Sequence, residues 1–127
     1  MLGLNKVIII GQVSERAELR YTPEGVAVVC FTVTICRPFA APGGRALKEM
    51  DSFPVVAWRE LAERCEDELQ PGSDVHVEGR LRNHTWRDAL GRQMSRAEII
   101  AERIVMLDTD EPAETQGRYD YDYQWRE

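Results

Sequence analysis

The 127-residue sequence predicts an all-β fold, a five-stranded Greek-key barrel with one helix between its third and fourth strands. Three observations predict it: five apolar, β-branched runs, a single segment that switches to helical spacing, and Pro/Gly turn signals between them. A core of about 100 residues can bury enough apolar surface to fold without disulfide or metal staples.

The first run is Leu4–Val13, bounded by Gly11 and followed by Arg20-Tyr21-Thr22 and a turn at Pro23-Glu24-Gly25. In the second, Val26–Cys36, the residues Val29, Phe31, Val33 and Ile35 alternate with Cys30, Thr32, Thr34 and Cys36. Strict alternation marks a strand with two unlike faces. Pro38–Asp51, with Pro42-Gly43-Gly44 inside it, reads as a long mobile hairpin loop. The third strand is Ser52–Trp58, where Phe53 shares parity with Val55 and Ala57 and is favoured over Trp58 as the core aromatic.

Over Arg59–Leu69 the period changes: Leu61, Cys65 and Leu69 form one helical stripe and the acidic side chains between them face water. Pro71-Gly72 ends the helix. The fourth strand runs from Ser73 to Asp88, a turn falls at Leu90-Gly91, and the fifth runs from Met94 to Ala101 with a continuation through Ile104-Val105. Three strands, a helix and two strands is the element order of an OB barrel, whose strand face and loops bind oligonucleotides. The domain is expected over residues 1–108. Residues 109–127, which lack any periodic apolar pattern and end in alternating tyrosines and aspartates before Trp125, are expected to be a disordered acidic tail.

Net charge is −6, from 16 Lys+Arg against 22 Asp+Glu. The tail accounts for −4 of it, so the domain is near neutral, and a near-neutral domain binds a polyanion only if its positive charge gathers on one surface. The run Val7–Ile10 is far too short to cross a bilayer, and the chain opens with no secretory pattern, so the cytoplasm is the expected compartment. Cys30, Cys36 and Cys65, an odd count without paired short spacing, fit reduced thiols rather than a zinc site or disulfide framework. His76 and His84 have no Cys/His partner at metal spacing and fit no nucleophile–base pattern, and no phosphate-loop motif occurs. No catalytic group, metal or cofactor is expected.

The fourth strand carries the functional signal. Period two puts Val75, Val77, Gly79 and Leu81 on an apolar face and His76, Glu78, Arg80, Arg82, His84 and Trp86 on the other. Guanidinium groups can meet phosphates while a flat indole takes the face of a base, and stacking tolerates any sequence because every base has a π-face. An ordinary solvated strand, or an aromatic serving a protein interface, would show the same pattern. Arg37 and Phe39, at the base of the Gly-rich loop, and Lys6 and Arg20 near strands, are further candidates.

Several segments resemble the bacterial single-stranded DNA-binding protein family. They are Leu4-Asn5-Lys6-Val7-Ile8-Ile9-Ile10-Gly11, Glu18-Leu19-Arg20-Tyr21-Thr22-Pro23, Val55-Val56-Ala57-Trp58-Arg59-Glu60-Leu61-Ala62-Glu63 and Val77-Glu78-Gly79-Arg80-Leu81 followed by Trp86. The resemblance spans residues 4–107 and implies an OB fold, usually a homotetramer, that binds single-stranded DNA in replication, recombination and repair. It matches Trp58, Trp86 and Phe39 to base-stacking positions, and Arg82, Lys6 and Arg20 to phosphate-contacting ones. Ser52 stands where the family commonly carries another stacking aromatic, and Phe53 is one place off on the opposite parity. Glu60 stands where some members carry a lysine. Members that recruit repair enzymes end in an acidic tail with an apolar Pro-Phe tip; this sequence closes on Gln124-Trp125-Arg126-Glu127, so the resemblance does not by itself imply recruitment through the tail. A protein-interaction module with weak DNA affinity, or an RNA binder, are the competing readings.

Overall fold

The computed structural model of the chain describes residues 1–107 apart from Ala41 and Arg45, with backbone alone for Phe39, Ala40 and Ala46. The expected tail at residues 109–127 lies outside the described residues. The elements are β1 (Val7–Val13), β2 (Glu18–Tyr21), β3 (Ala27–Ala40), β4 (Ala46–Trp58), α1 (Glu60–Glu68), β5 (Asp74–Arg87) and β6 (Gln93–Met106).

The sheet order is β1-β5-β6-β4-β3-β2, and a further β1–β3 pairing closes five of the six strands into a barrel. Most neighbours are antiparallel; β4 and β6 run parallel, through Val55–Ile99 and Val56–Ile100. Helix α1 sits between the third and fourth barrel strands in chain order, as an OB barrel requires. The sixth strand, β2, hangs on the outside of β3. It corrects the sequence reading, which leaves Arg20-Tyr21 outside any strand; four mostly exposed residues give no alternation to read.

A second correction concerns Pro38–Asp51. Instead of a long loop, β3 and β4 stay paired through Arg37–Glu49, Pro38–Lys48 and Ala40–Ala46, forming a two-stranded ribbon. Half the N–H groups of such a ribbon point away from the partner strand, so a proline there breaks nothing.

The core follows the alternation: Val29, Phe31 and Val33 of β3 meet Val55 and Ala57 of β4, Val75 and Val77 of β5, and Ile99 and Ile104 of β6. Ala62, Cys65 and Leu69 plug one end of the barrel, with Leu61 only partly buried. Burial among these apolar groups pushes the Cys65 thiol up to about 12, so it stays protonated and behaves as a small hydrophobe. The Arg59 N–H donates to the Ala27 carbonyl at 2.8 Å, tying the start of the helix to β3.

Leu81 departs from expectation. It shares parity with the core residues yet is 47% exposed. Beyond it, β5 and β6 leave the barrel as a second ribbon that pairs as far as Arg87–Gln93. At the ribbon's tip Asp88 accepts hydrogen bonds from the backbone of Leu90 and Arg92 and from Arg92 Nε, and these bonds hold its carboxyl below the usual range, the Arg92 backbone bond most of all. That turn fixes the end of the strand on which Trp86 sits.

Candidate nucleic-acid interface

Residues paired across a ladder share a face, so the register reads out which side chains stand together. On the outer side of β5 and β6 the pairs are Arg80–Ile100, Arg82–Glu98, His84–Arg96 and Trp86–Met94. Ile100 continues the row to Val56 of β4, and Val56 to Cys30 of β3. Trp58 pairs with Val28, which pairs with Arg20 of β2. Trp58, Trp86, Arg80, Arg82, His84 and Arg20 therefore lie on one continuous face of the sheet.

The floor of this face is apolar. Val56 and Ile100, although they point away from the barrel interior, are 4% and 6% exposed. Trp58 is half-buried, whereas Trp86 is exposed at the ribbon end. The His84 and Trp86 rings stack with centroids 5.2 Å apart and planes 24° from parallel. Phe53 keeps the core parity that the sequence assigns it, paired with Val33, but lies at the margin of the core and is 37% exposed.

Extending the β1–β5 register one place beyond Val7–Gly79 brings exposed Lys6 alongside Arg80. The Asn5 side chain secures that approach by bonding both backbone groups of Leu81, at 2.7 and 2.8 Å. Arg37 is not part of the row: it shares the parity of Val33 and Ile35 on the β3–β4 ribbon and is ion-paired with Glu49. Phe39 pairs with Leu47 through the backbone, and its side chain lies outside the described residues.

Most of the arginines on this face have an acidic neighbour. Arg82 Nη2 donates to Glu98 at 2.6 Å, Arg96 lies 3.9 Å from the same carboxylate, Arg80 Nε is 4.0 Å from Glu102, and Arg20 meets Glu18 at 3.2 Å. Sequence reasoning misses Arg96 and Glu98. Their signal is present, since Arg96, Glu98 and Ile100 share one parity of the fifth barrel strand, but nothing local says that Glu98 is buried. In chemical terms the face offers flat rings over an apolar floor, with guanidinium groups along both sides, and its positive charge is partly compensated.

Comparison with known proteins agrees with this fold. The model of the single-strand binding protein family matches residues 4–107. A single-stranded DNA-binding protein of Halalkalibacterium halodurans is 37% identical over 105 residues, 83% of this chain, and the chain spans 61% of that relative's length. A deletion mutant of the single-stranded DNA-binding protein from Thermus aquaticus superposes with a TM-score of 0.74 at 30% identity, covering 85% of this chain and 52% of that one. The Plasmodium falciparum SSB in complex with ssDNA gives 0.75 at 20% identity, over 85% of this chain and 98% of that one, a likeness of fold. A barrel of this topology, an aromatic and cationic outer face and a match over nearly the whole folded region lead to one conclusion: the chain belongs to the single-strand binding protein family.

Proposed function

We propose that residues 1–108 bind and protect single-stranded DNA without sequence preference, in replication, recombination and repair in the cytoplasm, with no catalytic step. The observation that carries this reading is that Trp58, Trp86, Arg80 and Arg82 share one outer face above an apolar floor. Bases stack on Trp58 and on Trp86, whose ring His84 extends. Arg80, Arg82, Arg20 and Lys6 neutralise phosphates, and Phe39 and Arg37 on the β3–β4 ribbon flank the path of the strand. Stacking gives affinity for any sequence; the need for open bases excludes duplex.

The test is a tryptophan-quenching titration with oligo-dT, a matched RNA and a duplex, at several salt concentrations. Quenching by oligo-dT at low salt is expected, with log affinity falling by about 0.7 per neutralised phosphate for each log unit of salt. Unchanged fluorescence overturns the reading, and a preference for RNA of the same sequence moves it to an RNA-binding module.

The same chain is proposed to self-associate, as a tetramer. β1 pairs with β5 along its length, but toward β3 only Gln12 and Val13 pair. On that side Val7–Gly11 present a strand edge without a ladder partner among the described residues, beside Ile8 and Ile10 at 54% and 57% exposed. Sedimentation equilibrium is expected to give four times the chain mass, and Ile8→Asp with Ile10→Asp to lower it; a wild-type monomer at micromolar concentration sinks the idea.

A further inference from the structure

Among the described residues Glu98 is the one charged side chain that is buried, at 3% exposed. It stands on β6 directly opposite Arg82, in the row that carries Arg80, His84 and Trp86. One carboxylate oxygen accepts from Arg82 Nη2 at 2.6 Å, and the other lies 3.9 Å from Arg96 Nη2. The two arginine side chains are 40% and 53% exposed, so the acid is enclosed while its partners still reach solvent.

A carboxylate kept out of water is tolerated only where cations hold it. Here those cations are the groups that would meet DNA. The carboxylate bonded to Arg82 occupies that guanidinium, so of the two arginines only Arg96, 3.9 Å away, stays largely open to a polyanion. The bond from Arg82 Nη2 to Glu98 is also the same charge-assisted N–H···O⁻ contact that a phosphate oxygen would make. Because Glu98 is walled in by the sheet, it cannot swing aside when a strand arrives. Cys30, opposite Val56 on the same face, has its thiol raised by burial first and by Glu98 next, with Arg96 opposing.

We propose that Glu98 is a positioning residue that acts as an internal counter-anion, holding Arg82 and Arg96 in the sheet and competing with phosphates for Arg82. It limits the counterions that binding releases, and so sets how firmly the face holds a strand and how readily it lets go. The proposal rests on the reading that this face binds single-stranded DNA.

Glu98→Gln keeps the shape and an acceptor oxygen while removing the charge. It is expected to tighten oligo-dT binding on the order of three- to tenfold at low salt, as the loss of one negative charge about 6 Å from a phosphate implies. It should also steepen the log–log salt slope by about 0.7, one phosphate's worth. In an Arg82→Gln background the slope gain should vanish, which a merely structural role for Glu98 would not produce. Arg82→Gln alone gives an independent reading even if Glu98→Gln fails to fold: because Glu98 already occupies Arg82, the slope should fall by well under about 0.7. An unchanged or shallower slope in Glu98→Gln, the same gain without Arg82, or a full loss of about 0.7 in Arg82→Gln overturns the role of Glu98 and leaves DNA binding intact. Wild-type protein that fails to bind oligo-dT overturns the underlying reading and this proposal with it.

Discussion

Gly79→Ala is expected to destabilise the barrel by at least about 3 kcal/mol, the upper end of ordinary overpacking. The melting temperature should fall by more than about 10 °C for a domain of this size. A β-carbon at residue 79 would lie 2.0 Å from the Ile100 carbonyl oxygen, 2.9 Å from its carbon and 3.1 Å from the Ala101 Cα. All three are backbone atoms, so no rotamer change relieves the contact. The ladder register shifts at this point: Glu78 pairs with Arg103 while Gly79 pairs with Ala101, so Glu102 is an extra, bulged residue. Bulges of this kind bend one strand sharply across its partner, and glycine allows the closest approach. Prising β5 from β6 here would also disturb Arg80 and Arg82, which follow directly. Circular-dichroism melting curves check the prediction; a midpoint within about 3 °C of wild type would mean that the two strands are not packed this closely.

Period two survives in the sequence because each residue of a strand faces one side whatever lies across from it. For that reason the alternation of β3 and the outer row of β5 from Arg80 to Trp86 are legible in the order of residues alone. What is not legible depends on where neighbouring strands stop. Leu81 continues the apolar parity of Val75 and Val77, but the β1–β5 ladder ends at Val7–Gly79, so Leu81 has no strand neighbour on the β1 side and the ribbon begins there. The β3–β4 ribbon is hidden by Pro38 and Pro42-Gly43-Gly44, turn signals that in fact mark only its tip and its unpaired edge. Glu98 reads as one more solvated acid; its burial comes from Arg82 across the ladder and Ile100 beside it, a contact made by residues 16 apart. Arg37 has the parity of Val33, Ile35 and Phe39, so it stands off the row of Trp58 and Trp86, which only the register with Glu49 makes visible.

Trp86→Ala is expected to weaken oligo-dT binding by about 1–3 kcal/mol, roughly five- to 150-fold, the worth of one stacked base. The melting temperature should stay within a few degrees of wild type, because Trp86 stands outside the core, 38% exposed on a ribbon whose turn is fixed independently by Asp88. Its ring already has one stacking partner, His84. A base arriving on the other side would complete a sandwich, and removing the indole dismantles both contacts at once. Trp86→Phe should recover much of the loss, since a smaller ring still presents a π-face, whereas Trp86→Leu should recover little despite similar hydrophobicity. Trp58 is a less clean probe: it is half-buried beside Val28 and Val56, so its removal would mix lost stacking with lost packing. Affinity and melting measured on the same Trp86 samples separate the two. If Trp86→Ala lowered the midpoint steeply while affinity held, the ribbon would be a structural brace, and base stacking would have to move elsewhere on the face.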